Sequence, residues 1–309
     1  MAAGELQRAT ASAAGKVILL GEHVVVHGHP GLVAGIDRGV RVTIVPCAPG
    51  TPPVRADAAL DAASALARRL LGLGDRSFLV EIDGNLPIGM GLGSSAALAV
   101  ALLRALAASG GMPLTDAEVA EHAHQIERLF HGTPSGVDST AATYGGVLWF
   151  AAGPPVRHER LTLRAPLPLV VVLSRTPHAT ARTVGSLRER AAAAPEVYQP
   201  VFAAIAALVG AARRALEGDE RARLGELMTM NHGLLRACGV STAELDALVA
   251  AALDAGAAGA KLTGAGGGGA VIALPAAAPE PLLAALAAQG HECFVATVGV
   301  PTATGGVEA

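Results

Sequence analysis

Apolar positions along the chain fall into two patterns: short β-branched runs bounded by glycine or proline, and longer alanine-rich stretches with helical spacing. Val17–Leu20 and Val40–Val45 are of the first kind and predict strands, as does Phe78–Ile82. Asp57–Leu73 reads as an alanine-rich helix, and Ser94–Ala108 as a strongly helical run with no breaker. Thr115-Asp-Ala-Glu118 is a capping box, in which hydroxyl and carboxylate satisfy each other's free backbone amides. It predicts a helix running to about Phe130. Gly145–Phe150 predicts a strand, the proline-spotted Ala152–Pro168 a crossing between two domains, and Leu169–Leu173 a short buried strand. Helices follow at Val197–Leu216, Arg221–Leu235 and Thr242–Ala255. The chain then passes through Lys261–Gly269 into a strand at Ala270–Leu274, a helix at Pro281–Gln289 and a closing strand at Cys293–Val298. Strands and helices mix without a regular βαβ rhythm, which favours an α+β fold, and no internal repeat is visible.

The length of 309 residues fits two domains or one large one. Hydrophobic residues make up 51% and mean hydropathy is +0.46, which raises the question of a membrane. The longest apolar stretch, Ile88–Ala108, has the length of a span, about 20 residues. It is interrupted by Gly89, Gly91, Gly93, Ser94, Ser95 and Arg104, which fits a glycine-rich loop entering a buried helix. The expectation is a protein with no membrane segment, and the start of the chain has no apolar core of a signal peptide. Cys47, Cys238 and Cys293 are far apart and form no CxxC pair, which fits a reducing, cytoplasmic setting. The net charge of −3 and the absence of a dense Lys/Arg run disfavour nucleic acid as a partner. A small anion is still compatible, because backbone amides hold phosphate without net positive charge.

Four segments carry candidate chemistry. In Pro87-Ile-Gly-Met-Gly-Leu-Gly-Ser-Ser-Ala-Ala97, alternate glycines let the backbone turn sharply toward an anion, and the helix that follows presents free amides and a favourable dipole. It is not a Walker A loop, because Gly15-Lys16 lacks the upstream glycine and the following Ser/Thr. In Glu127-Arg-Leu-Phe-His-Gly-Thr-Pro-Ser-Gly-Val-Asp138, Glu127 falls on the apolar side of its helix, where a carboxylate needs a cation or hydrogen bonds; a structural ion pair is the equal alternative. Asp138, taken alone, reads as a helix N-cap. Lys261-Leu-Thr-Gly-Ala-Gly-Gly-Gly-Gly-Ala270 formally contains GxGxxG, but a strand follows it and no βαβ unit fits. It reads as a second glycine-rich wall of the same anion site, with Thr263 offering a hydroxyl. Finally, Gly15-Lys-Val-Ile-Leu-Leu-Gly-Glu-His-Val-Val-Val-His27 places Lys16 at one end of an apolar strand and Glu22, His23 and His27 at the other, a pocket for a polar substrate.

In this order, KVILLGEHVVVHG, PIGMGLGSSAA, ERLFHGTPSGVDSTAATYGG and KLTGAGGGG resemble the GHMP kinases, and within them the mevalonate kinases, over Lys16–Gly269. The resemblance implies a ribosomal-S5-like N-terminal domain over 1–165, a ferredoxin-like C-terminal domain over 166–309, and an active site between them. It implies transfer of phosphate from ATP to the primary hydroxyl of mevalonate, with Mg²⁺. Ser95 and Glu127 would hold the Mg²⁺, and Asp138 would face the substrate hydroxyl with Lys16 beside it. Gly89, Gly91, Leu92, Gly93, Ser94, Ser95 and Ala96 would cradle the phosphates. Glu22, His23, Thr180 and Thr263 would line the substrate and phosphate side. One departure is Ala14, where the family usually has proline; its absence should loosen the approach to Lys16. The competing readings are another GHMP small-molecule kinase (for phosphomevalonate, homoserine or a sugar), a non-catalytic GHMP-fold sensor and, more distantly, a nicotinamide-dependent dehydrogenase. The oligomeric state stays open, a homodimer included.

Overall fold

The computed structural model describes residues 6–51, 57–131, 134–153, 155–177 and 180–299. Its organising element is a pair of long strands, β1 (Ala9–Leu20) and β2 (Pro30–Pro46), antiparallel from Ala9↔Ile44 to Leu20↔Leu32. β3 (Phe78–Gly84) flanks the later half of β2, and β4 (Val147–Ala151) flanks its start. β5 (Arg157–Leu161) pairs with β4 and forms that edge. At Ile36, β2 makes a single pair with Val298 of β9 (Cys293–Val298). The sheet continues from there through β6 (Leu167–Leu173) and β8 (Ala270–Pro275) to β7 (Ala257–Thr263), giving nine strands.

Helices α1 (Ala58–Leu70), α2 (Ser94–Ser109), α3 (Asp116–His131) and α4 (Val137–Tyr144) gather on β1 and β2, with α2 packed directly on both strands. α2 is buried almost all round, from Ala96 to Ala107, which its alanine-leucine composition allows. The capping box at the head of α3 forms as the spacing predicts. Thr115 donates through both its backbone N and Oγ1 to Glu118 Oε2 at 2.8 Å. The later helices are α5 (Thr180–Ala193), α6 (Pro195–Gly218), α7 (Arg221–Ala237), α8 (Ala243–Asp254) and α9 (Pro279–Ala288). β6 and β8 are buried on both faces. Leu169, Val171 and Ile272 join the core under α2, while Val170, Val172 and Val271 join a second core with α8 and α9. α6 bridges the two, with Phe202 and Ile205 in one core and Val209 and Ala212 in the other. Among the described residues α6 is the one helix long and apolar enough to cross a membrane, whereas Ile88–Ala108 resolves into a loop and the 16-residue α2.

Mixed strands and helices agree with the α+β expectation, but several elements depart from the local signal. β1 begins eight residues before Val17, because the small side chains of Ala9–Gly15 are held by the β2 ladder and covered by α2, whatever their own propensity. The crossing expected over Ala152–Pro168 contains β5, whose exposed Arg157-His158-Glu159-Arg160 suits a sheet edge. β7, α4 and α5 were also outside the predicted set. β7 is alanine- and glycine-rich, and it is a strand because β8 pairs with it and α7 lies flush against it. That contact needs glycine on both sides. A Cβ on Gly225 would sit 2.3 Å from the Ala258 carbonyl oxygen, and one on Gly259 would sit 1.9 Å from the Gly225 oxygen.

Gly225→Ala is therefore expected to cost about 1–3 kcal/mol through backbone displacement, seen as a melting midpoint lowered by several degrees in thermal circular dichroism. Gly233→Ala on the same helix, where a Cβ meets nothing within 4 Å, should leave the midpoint unchanged or raise it.

Candidate active site

Lys16 lies near the end of β1, where three segments converge. Its backbone N donates to the Leu92 carbonyl at 2.8 Å, and its Nζ donates to the Gly91 carbonyl at 3.0 Å. The aliphatic stem runs against Gly93, where a Cβ would come within 2.8 Å of Lys16 Cγ. Gly93 also has φ 78° and is the N-cap of α2, so the residue that admits the lysine starts the helix as well. The first helical bond there is Ala97 N to Gly93 O at 2.9 Å, and the N-cap glycine has no side chain to cap the amides ahead of it. These N–H groups, at the positive end of the helix dipole, suit an anion. Leu92 and Ala96 belong to this wall through their backbone only, since both side chains are in the core. Ala14 pairs with Gly39 inside the β1 ladder, followed by a register shift before Lys16. The approach to the lysine is therefore set by the ladder and a bulge, without the proline.

Two carboxylates face this lysine from α3 and α4. Asp138 Oδ1 is 3.0 Å from Lys16 Nζ; the lysine side chain is 4% exposed and the aspartate 33%, so the carboxylate is the solvent-facing partner. Asp138 is not the N-cap of α4. Gly136 is, with φ 83°, and Asp138 sits in the first turn where the dipole favours its charge. Glu127, near the end of α3, is fully enclosed. Its Oε2 accepts from the Ser139 backbone N at 3.2 Å, while Oε1 has no hydrogen-bond partner among the described residues. Burial raises the Glu127 pKa to about 8, reinforced by the Asp138 charge and opposed by the Ser139 hydrogen bond and Lys16.

The Gly-Glu-His turn after β1 is arranged differently from the expected open pocket. Glu22 is fully buried, and its two oxygens are taken by Lys261 Nζ and by Asn231 Nδ2, the latter at 3.0 Å. Lys261 is equally enclosed and also donates to the carbonyls of Ile18 at 3.3 Å and Leu262 at 2.5 Å. Burial raises the Glu22 pKa and lowers that of Lys261, while each partner's charge opposes the shift. Thr263 Oγ1 accepts from Ile18 N at 2.8 Å and donates to Ile18 O at 3.2 Å, so its hydroxyl is spent on β1. His23 has a left-handed backbone at φ 65°, and its Nε2 lies 2.9 Å from the Ala265 carbonyl in the turn between β7 and β8. Behind it, His232 Nδ1 accepts from Leu262 N at 3.4 Å and Nε2 faces Asp246 at 3.2 Å, which assigns the Nε2–H tautomer.

The fold thus brings together Lys16, Asp138, Glu127 and the loop over Gly89–Ala96, and joins Glu22, His23 and Thr263 to β7 and its turn. Glu22 and Thr263, expected to line a ligand, have their polar atoms satisfied within the protein. The side chain of Thr180, at the start of α5, lies outside the described residues. Lys261 and Asn231 were not singled out from the sequence. A lone lysine inside the alanine-rich run before Leu262 was the available signal for the first; nothing local marked the second.

The raised Glu127 pKa has a thermodynamic consequence for the ligand-free protein. Between pH 4.5 and about 8 the unfolded carboxyl is ionised while the folded one keeps its proton, so stability falls as pH rises through that window. Glu127→Gln should flatten this decline by a few degrees of melting temperature between pH 5 and 8, read by scanning calorimetry.

The family model for the GHMP kinases N terminal domain matches residues 57–146, and that for GHMP kinases C terminal matches residues 212–292. A mevalonate kinase of Thermococcus sibiricus is 38% identical over 306 residues, covering 88% of this chain and 90% of the relative. A mevalonate kinase of Methanothermobacter thermautotrophicus is also 38% identical, over 86% of this chain and 90% of its own. The crystal structure of L. major mevalonate kinase in complex with R-mevalonate superposes with a TM-score of 0.82 at 33% identity, over 95% of this chain and 97% of that one. With a lysine–aspartate pair set against a glycine-rich helix start and these relatives covering nearly its whole length, the chain belongs to the GHMP kinases and, within them, to the mevalonate kinase family.

Proposed function

We propose that the protein transfers the γ-phosphoryl group of ATP to the primary hydroxyl of mevalonate, giving phosphomevalonate and ADP, an early step toward isoprenoids. The observation that carries this reading is the Lys16–Asp138 pair at 3.0 Å, held by the Gly91 carbonyl beside the N-terminal turn of α2. Phosphoryl transfer asks for positioning and charge neutralisation more than for covalent chemistry. The backbone N–H groups of the Gly89–Ala96 wall take the phosphate oxygens. Asp138, the exposed member of the pair, accepts the proton that leaves the attacking hydroxyl, and Lys16 keeps that carboxylate ionised and fixed in direction. Glu22 acts through Lys261 to hold the turn that carries His23, and His23 lines the acceptor side. Thr263 holds β1, and Thr180, whose side chain lies outside the described residues, is assigned to the acceptor side on the family resemblance alone.

Mg²⁺ fits the donor set. Glu127 Oε1 is a buried carboxylate oxygen with no partner, and Ser95 adds a hydroxyl at the head of α2. Among the described residues no cluster of three or more His, Cys, Asp or Glu exists, so the protein supplies few ligands and leaves the rest to phosphates and water, the habit of Mg²⁺. When bound there, the ion neutralises charge on the phosphate oxygens. We read the chain as two domains, 1–165 and 166–309, joined where β2 meets β9; the placement of the two family matches supports this. ATP and mevalonate are its partners, and its three free cysteines suit the cytosol.

ADP release measured with Mg²⁺ and ATP against mevalonate, phosphomevalonate, homoserine and galactose tests the reading. Turnover with mevalonate alone is expected; turnover with another acceptor, or with none, rejects the assignment. Asp138→Asn should lower kcat by about 10²–10⁴-fold, and near-normal turnover would remove it as proton acceptor. Glu127→Gln should raise the Mg²⁺ concentration needed for half-maximal rate, and an unchanged titration would strike it from the ligands.

A further inference from the structure

Residues 174–177, between β6 and α5, form a strap that is bonded to the second glycine-rich wall and runs beside the first. On one side, Thr176 O accepts from Gly269 N at 2.9 Å, and Ser174 N donates to Gly269 O at 2.8 Å. Ser174 Oγ adds a bond to Thr176 O at 2.8 Å. The fit to the turn is close enough to require glycine. Gly268 has φ 140°, and a Cβ there would lie 2.5 Å from Thr176 O and 2.7 Å from Pro177 O. On the other side, a Cβ on Gly89, in the first wall, would lie 4.0 Å from Pro177 Cβ. The strap therefore lies between the two walls, bonded to the second and at van der Waals range of a Cβ placed on the first. Yet Arg175, Thr176 and Pro177 are exposed, so no apolar burial holds them in place.

Besides the Gly269 and Ser174 bonds, one side chain holds them. Glu244, in the first turn of α8, accepts from Arg175 N at 2.7 Å through Oε1 and from Thr176 Oγ1 at 2.9 Å through Oε2. The helix does not need it as a cap, because Thr242 Oγ1 already accepts from Leu245 N at 3.2 Å. The Arg175 N–H holds the Glu244 carboxyl below its ordinary pKa range, which keeps both oxygens available as acceptors near neutrality. The far side of the same turn is fixed independently by Gly267 N to Val240 O at 2.9 Å. The Glu244 side is the adjustable one.

We infer that Glu244 is a positioning residue for nucleotide binding: its carboxylate clasps the 174–177 strap and so sets the spacing of the Gly89–Ala96 and Gly264–Gly269 walls around the triphosphate. The inference rests on the kinase reading for its substrate, and it concerns the nucleotide side of the site, not the acceptor side. Loss of the clasp leaves the catalytic Lys16 and Asp138 in place but lets the walls part, so the loss falls on nucleotide affinity and not on the chemical step.

The test compares full-length wild type, Glu244→Ala, Glu244→Gln and Thr176→Val, by calorimetric titration with Mg²⁺–AMP-PNP, by steady-state kinetics and by thermal melting. Glu244→Ala should weaken AMP-PNP binding roughly tenfold, the scale of two lost hydrogen bonds. The KM for ATP should rise equally, with kcat within about twofold and the KM for mevalonate unmoved. Glu244→Gln should recover most of the affinity, because its Oε1 can accept from Arg175 N while its Nε2 donates to Thr176 Oγ1. Thr176→Val, which removes one bond of the two, should weaken binding about threefold and decides the matter if Glu244→Ala does not fold. Unchanged AMP-PNP affinity in Glu244→Ala overturns the inference, even with a lowered melting temperature, which is all that a merely structural role would produce. A Gln variant as weak as Ala also overturns it, since charge and not the clasp would then matter. Wild type that binds AMP-PNP without phosphorylating mevalonate refutes the functional reading while the affinity ratios still decide the role of Glu244. Wild type that binds no nucleotide refutes both.

Discussion

The seam between β1 and β7 is the constraint on which the rest of the molecule depends. The two strands are not hydrogen-bonded neighbours in the sheet, yet both backbone polar groups of Ile18 are satisfied across the gap by side chains from β7. Thr263 covers the N–H, and Thr263 and Lys261 share the carbonyl. Such groups are expensive to bury without partners. The seam is closed by the enclosed Glu22–Lys261 pair with Asn231 beside it, and removing one member of a buried pair typically costs about 3–5 kcal/mol. Lys16 lies two residues from Ile18 on the same strand, so the register of the seam sets where its ammonium group arrives. His23, at the other end, is tied to the Ala265 carbonyl next to Thr263. One seam therefore places residues on both sides of the proposed acceptor.

Electrostatics divides the labour between the two carboxylates near Lys16. Asp138 is partly exposed, lies in the first turn of a helix and has the lysine at 3.0 Å, three conditions that all favour its charge. Glu127 is enclosed, has one hydrogen bond and feels the Asp138 charge, conditions that resist its ionisation until a cation compensates. Two carboxylates beside one lysine are thereby set in different environments, one open and one enclosed. In the proposed mechanism the anion is met by backbone amides, which would let a chain of net charge −3 handle a triphosphate.

Glycine performs a packing role here as much as a conformational one. Gly93 admits the stem of Lys16, Gly225 and Gly259 let a helix and a strand touch backbone to backbone, and Gly268 accepts the strap from β6. In each case the occupant of the missing Cβ is remote in sequence. The glycines are conspicuous in the chain, but what each one makes room for is decided by folding.

Much of the local structure was legible in the chain. The capping box at Thr115, the breaker-free run over α2, and the β-branched runs of β6 and β9 carry signals that neighbouring residues alone create. The ordered motifs around Lys16, Gly93, Asp138 and Gly266 pointed to an anion site and to the family, because glycine spacing and helix starts are local facts. The strand character of Ala9–Gly15 and of β7, the edge strand β5 and the helices α4 and α5 were not legible, since small or polar residues take their conformation from the partner that covers them. The internal partners of Glu22 and Thr263 were likewise not legible. Whether a polar side chain faces a cleft or a buried partner depends on Lys261 and Asn231 for Glu22 and on Ile18 for Thr263, 239, 209 and 245 residues away. Composition and motif spacing determined the kind of chemistry; only the tertiary structure decided which polar atoms are left over to perform it, because hydrogen-bond satisfaction is a property of the packed molecule and not of any segment.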